Sequence, residues 1–325
     1  MNHHTLTRRA HTAWLLGLLA VGVLMPPVAS AQGAGAAGRR VGTVIVAHGG
    51  DSSWNARVLD VARTVRSDTP VEVSFLMGPS AKTARFQDAV ARLEARRVAE
   101  IVVVPMLVSS HSGHYEQIRY LAGDSVTLDE RMMHHLHMAG IERASVAVPI
   151  RVTRAMDDSP QVARVIADRA LALAATRAAV PRERALFIVG HGPNSAEDHA
   201  EWMRNLRPVA DSVKAWTGFR DVRVGLVRDD APAEVRAEAV RRVREIIDLQ
   251  HRVTSHDVIV VPVLVSKGAV SRDKIPNDLA GLPVVYAGEP LLPHPAMARW
   301  IEERRTTAMT AMQPVTPPGG RALRP

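Results

Sequence analysis

The chain states one unit twice, and this limits its fold more than any other feature. Val44-Ile-Val-Ala-His48-Gly49 is answered by Phe187-Ile-Val-Gly-His191-Gly192. Ile101-Val-Val-Val-Pro105-Met-Leu-Val-Ser109 is answered by Val258-Ile-Val-Val-Pro262-Val-Leu-Val-Ser266, with six of nine positions identical and three apolar exchanges. Pro149 and the helix after Ser159-Pro160 correspond to Pro290 and the helix after His294-Pro295. Matching pieces in the same order predict two similar units, residues 41–175 and 183–306, joined near Thr176 to Glu183.

Within each unit, short β-branched runs alternate with amphipathic stretches. Strands are predicted at 42–47, 71–76, 100–107 and 144–148, with helices near 53–66, 82–96, 114–121 and 160–175. The second unit reads strand 185–190, helix 195–215, strand 221–227, helix 233–250, strand 257–264, a short helix, strand 283–286 and helix 295–305. Apolar strands alternating with helices predict an α/β fold of two doubly wound parallel-sheet domains with a cleft between them. Ligands of such sheets bind beyond the carboxyl ends of the strands.

The two ends read differently. Arg8 and Arg9 precede an apolar run, Ala13 to Met25, closed by Pro26-Pro27 and Ala29-Ser30-Ala31. This is the pattern of a secretory signal peptide over residues 1–31. Its apolar core is shorter than the roughly 20 residues of a membrane span. The reading predicts a periplasmic or exported mature protein beginning near Gln32, with no stable membrane span. The arginine pair hints at twin-arginine export. A Pro/Gly-rich tail at 313–325 is expected to be disordered.

Composition removes several functions. With no cysteine, thiolate metal sites, iron–sulfur clusters and cysteine nucleophiles are excluded. The chain is basic, at a formal +8, but its arginines are spread along helices, and three Tyr, four Phe and five Trp, 4% of the chain, give little for base stacking. Nucleic acid is therefore a poor partner, whereas a polyanionic small molecule fits. There is no GxSxG elbow or Walker loop, and the one GxGxxG spelling, Gly33 to Gly38, precedes the first predicted strand instead of following it, so it is no dinucleotide fingerprint; no organic cofactor is expected.

Histidines mark the strand ends. His48 follows the first strand and precedes Gly49-Gly50, which lets the chain turn sharply; His191 repeats the position. One such histidine alone would be read as shaping its turn. After the third strand, however, the chain runs Ser109-Ser-His111-Ser-Gly-His114. Two strand ends of one sheet can thus aim imidazoles at one crevice, and imidazole ligates cobalt, nickel, iron and zinc. His48 and His114, with His111 as a possible third ligand, form the candidate metal set. In the second unit Lys267 and Val270 stand where these imidazoles stand. A lysine beside His191 is expected to repel a cation and leave this half without a metal site. His134, His135 and His137 fall in an insertion near 122–142 that the second unit lacks, open to a solvated loop or helix end or to metal delivery. His294 is read as a helix cap.

These residues resemble the class II tetrapyrrole chelatases, the sirohydrochlorin cobaltochelatases and ferrochelatases, in the two-repeat, CbiX-like form. The carriers are the strand-His-Gly start, the apolar strand ending in Pro and followed by Gly113-His114, and the stretch Glu289-Pro290-Leu-Leu-Pro-His294-Pro295. The resemblance spans roughly 41 to 305. It implies ATP-independent insertion of a divalent metal, cobalt first and nickel or iron next, into sirohydrochlorin or a related tetrapyrrole. It places catalysis on His48 and His114; His191, left a lone ligand in its half, and Glu289 are read as belonging to the substrate cleft. His111 is an addition to the family pattern. Tyr115-Glu116-Gln117-Ile118 departs from it, since an acidic residue is usual before the isoleucine. Glu116 or Glu289 would relay protons or simply cap a helix. An exported address and the His134–His137 cluster favour a second reading, a non-catalytic protein that binds or delivers metal or tetrapyrrole on the same fold.

Overall fold

Each central strand is a run of Val, Ile and small residues with no charged position inside it, which only a strand covered on both faces can use. The computed structural model describes residues 40–178 and 180–311. The first half runs β1 (Val41–Ala47), α1 (Ser52–Thr64), β2 (Val71–Phe75), α2 (Phe86–Ala95), β3 (Glu100–Met106), α3 (Gly113–Ala122), α4 (Glu130–Ala139), β4 (Ile150–Val152) and α5 (Pro160–Thr176). The second runs β5 (Ala185–Gly190), α6 (Ala196–Thr217), β6 (Asp221–Leu226), α7 (Ala233–Thr254), β7 (Val258–Val263), α8 (Ile275–Asp278), β8 (Val284–Tyr286) and α9 (Pro295–Ala311).

The strands form two four-stranded sheets, ordered β2-β1-β3-β4 and β6-β5-β7-β8. Every pairing is parallel. β1, β3, β5 and β7 are buried along their whole length. The chain leaves β1 for β2 on one side and returns as β3 on the other, so the order reverses between β1 and β3, and again between β5 and β7. Those reversals open the crevices at the strand ends.

The last helix of each half packs on the other half. α5 lies against α6 and β7, while α9 lies against α1, β3 and α5. Met297, Trp300 and Ile301 of α9 sit in one apolar cluster with Val44 and Ile45 of β1 and with Leu186 and Ile188 of β5. Arg305, 6% exposed, donates from Nε to Thr43 Oγ1 at 2.6 Å and from Nη2 to Thr69 Oγ1 at 2.8 Å. The repeats are units of sequence, and the described residues of both form one compact body.

Two segments differ from expectation. The strand foreseen at 144–148 lies at 150–152, because β3 pairs only with the chain beyond Pro149, whose carbonyl accepts from Ile101 N. Val146 and Val148 still pack on the core without joining the ladder. The insertion foreseen as a loop or helix end contains α4, started by Asp129, which accepts from Met132 N at 2.7 Å, and ended by Gly140 at φ 64°. The proposed leader, residues 1–31, and the tail at 313–325 lie outside the described residues. Among the described residues no helix is long and apolar enough to cross a membrane.

Candidate metal centre

Both reversal points open into one cleft of about 840 Å³, lined from β1 by His48, from β3 by Leu107 to His111, from β5 by His191 and from β7 by Leu264 to Ser266. Three contacts tie its walls together across the halves. Trp202 Nε1 donates to the His111 carbonyl at 2.7 Å, Ser266 Oγ donates to the Trp54 carbonyl at 3.1 Å, and Arg272 lies 3.6 Å from Asp51.

His48 and His114 meet edge to face, ring centroids 4.5 Å apart at 84°. His48 is delivered by the end of β1, where Gly49 takes φ +93°. A Cβ at Gly49 would come within 2.3 Å of the Met77 carbonyl oxygen, so only glycine fits this turn. His114 stands in the first turn of α3, which Ser112 caps by accepting from Tyr115 N.

Their hydrogen bonds fix the tautomers. His48 Nδ1–H donates to the Gly49 carbonyl at 2.7 Å. Gln117, fully buried, donates from Nε2 to the Met132 carbonyl at 2.7 Å, which turns its Oε1 toward His114 Nδ1 at 2.8 Å. In both rings Nδ1 carries the hydrogen and Nε2 keeps its lone pair. Burial lowers the pKa of His48, and burial with the neighbouring His48 charge lowers that of His114 to about 4. At neutral pH the pair offers two uncharged donors.

His191 is held differently. Its Nδ1–H donates to the Gly192 carbonyl at 2.6 Å and its Nε2 faces Asp230 Oδ2 at 3.0 Å. An acceptor at each nitrogen favours the imidazolium form. Burial opposes this charge, but the hydrogen bond and charge of Asp230 outweigh it and raise the pKa. Asp230 in turn falls to about 2, chiefly through its hydrogen bond with His191.

His111 lines the cleft but turns toward the second half, with Nε2 3.8 Å from Glu201. Glu289 is not among the cleft-lining residues, and its carboxylate accepts from Lys267 Nζ at 2.6 Å. The cationic neighbour expected beside His191 is thus neutralised elsewhere. The groups nearest His191 are acidic: His191, Asp229 and Asp230 are the one set of three potential ligands among the described residues whose donor atoms all lie within 4.8 Å. Asp229 is already engaged by Arg236 and Lys274, which leaves little charge for an ion. Val270 lines the cleft, as its place in the repeat implies. His294 Nδ1 accepts from Ala296 N at 3.2 Å at the start of α9. Glu116 lines the cleft mouth and pairs with Arg119 at 3.2 Å.

The sequence reading missed Asp230, Gln117 and Asp157. Asp230 lies beyond β6, a strand end like the others. Gln117 is one helical turn beyond His114. Asp157, 1% exposed, accepts from Ser110 N and Ser110 Oγ, both at 2.7 Å, and pins the loop that carries His111 and leads into α3. Only the fold brings residue 157 to residue 110.

The sequence model of the CbiX family matches residues 42–173 and again 185–308. Among solved structures, SirB from Bacillus subtilis with Fe3+ aligns at a TM-score of 0.53 and 15% identity, covering 83% of this chain and 96% of that one. The sirohydrochlorin chelatase SirB from Bacillus subtilis subspecies spizizenii, in complex with cobalt, aligns at 0.50 and 15%, covering 84% and 97%. DR2241 from Deinococcus radiodurans, a multi-domain protein with structural similarity to chelatases, aligns at 0.54 and 18%, covering 82% of this chain and 55% of that one. At these identities the likeness is one of fold. No curated protein sequence gives a significant match.

Proposed function

The chain belongs to the CbiX family of class II chelatases, and from that premise we propose that it inserts a divalent transition metal, cobalt foremost, into sirohydrochlorin or a related carboxylate-bearing tetrapyrrole held in the cleft. The observation that carries this reading is a pair of neutral imidazoles on the cleft wall, His48 and His114, with ring centroids 4.5 Å apart and each Nδ1 hydrogen-bonded, so that Nε2 is the nitrogen that keeps its lone pair.

Metalation replaces two pyrrole N–H protons by one metal ion. The ion arrives as substrate, held by the two Nε2 atoms, which replace part of its water shell. As its bonds pass one by one to the pyrrole nitrogens, each imidazole regains the lone pair that held it. Those lone pairs accept the two departing protons, so metal and protons change places and charge balances. The lowered pKa of both rings lets them return the protons to water and be ready for the next ion.

The opposite wall suits an anionic substrate rather than a metal. The His191 imidazolium and Arg272 on that wall, with Arg131 of α4 on the metal side, offer cations to its carboxylates. His48→Ala and His114→Ala are expected to abolish metalation of sirohydrochlorin by Co2+, followed by absorbance, while His191→Ala keeps measurable turnover with weaker tetrapyrrole binding. A folded His191→Ala as inactive as His48→Ala would overturn the division of roles. Binding of both metal and tetrapyrrole without metalation in the wild type would favour the delivery reading.

A further inference from the structure

One helix has no counterpart in the second half, and its composition is unlike the other helices. α4 reads Glu-Arg-Met-Met-His-His-Leu-His-Met-Ala, with three imidazoles and three thioethers in ten residues. Met132 and Leu136 face the core. Met133 and Met138 are 40% and 61% exposed, and His134 and His137 are exposed beside them. Residues three and four apart adjoin on a helix, so His134, His137 and Met138 share one outer face, with Met133 next to His137. Two imidazoles and two thioethers turned to water serve neither packing nor solubility, where lysine or glutamate would do better.

A second observation ties this helix to the metal pair. His135 stacks on His114, centroids 6.4 Å apart at 23°, and His114 meets His48 at 4.5 Å. The three rings form a file from α4 into the cleft. The Nδ1 atoms of His48, His114 and His191 each have a hydrogen-bond partner, whereas the buried Nδ1 of His135 has none. A buried polar atom without a partner is uncommon and calls for a physical reason. Gln117 also latches α4 to the pair, bonding His114 with its oxygen and the Met132 carbonyl with its nitrogen.

We propose that α4 carries a second metal site, an outer acceptor formed by His134, His137 and Met138, from which a borderline or soft divalent ion passes through His135 to His114 and His48. The proposal rests on the reading of His48 and His114 as the metal pair. The step is ligand exchange alone: one nitrogen–metal bond forms as another breaks, water fills vacated positions, and no electron moves. Thioether and imidazole donors bias the face against magnesium and calcium, which prefer oxygen.

The test is titration of the metal-free full chain with Co2+ alone, without tetrapyrrole, by calorimetry and visible absorption. Two ions per chain are expected. The double variant His134→Ala/His137→Ala should lose one and keep the other, and His48→Ala/His114→Ala should lose the opposite one. An unchanged ion count in the first variant overturns the outer site; an unchanged count in the second overturns the proposed metal pair instead. His135→Phe keeps the stacked ring but removes its nitrogens. It should still bind two ions, while filling of the inner site at limiting Co2+, followed by stopped flow, slows several-fold. An unchanged rate overturns the relay through His135.

Discussion

Burial and hydrogen bonding act in opposite directions on the cleft histidines, and the outcome differs from ring to ring. His114 is pushed down to about 4, so the unfolded chain binds its proton more readily. Its contribution therefore erodes stability as pH falls from 6.5 toward 4. His191 is raised: its stabilisation is complete below 6.5 and is lost as pH rises through the higher folded value. Asp230, at about 2, contributes above its ordinary 3.8 and loses that contribution as pH falls toward 2. Both contributions are thus complete together between about 4 and 6.5. In an NMR titration His191 should show a midpoint above 6.5, and in Asp230→Asn the midpoint should drop below 6.5, since burial would then dominate. A midpoint unmoved by the substitution would mean that Asp230 does not set the charge. Strand-end position was enough to pick out His48, His114 and His191 from the sequence. Their protonation was not legible there, because it depends on Gln117 and Asp230, whose approach is set by packing.

At the scale of elements, the loop from β3 to α3 decides whether His114 points into the cleft. Asp157 holds that loop through both Ser110 bonds and lies 3.2 Å from the Arg154 guanidinium. Asp157→Ala would leave the partly buried Ser110 N–H without its partner, at a cost of up to about 1–3 kcal/mol. Denaturant unfolding should register that loss, and Co2+ should bind more weakly as the loop loosens. A variant with wild-type stability would show the anchor to be dispensable. The central strands were legible because burial on both faces writes an unbroken apolar run. β4 was not, since a three-residue edge strand leaves no period to read and its register depends on where Pro149 falls. α4 was masked by its histidines, which read equally well as a loop; the Asp129 cap and Gly140 stop were the available signals.

For the whole molecule, duplication predicted two alike sheets, while the exchange of last helices left no mark in the sequence pattern. Removing α9 would bare Met297, Trp300 and Ile301 contacts on the first half, on the order of 1.5–3 kcal/mol for each large side chain. Residues 40–178 expressed alone should therefore pair with a second copy, whose α5 takes the place of α9, because the two helices hold matching positions in the repeat. Sedimentation should report a homodimer; a stable folded monomer would show that the exchange contributes little.

The crossed helices also decide how the slot can move. Halves that each finish the other oppose a hinge: widening the mouth would mean drawing α5 and α9 out of a shared core, along with the buried Arg305 and its threonines. Such a frame is expected to act as a fixed gauge, admitting a guest by its thickness before any side chain has touched it.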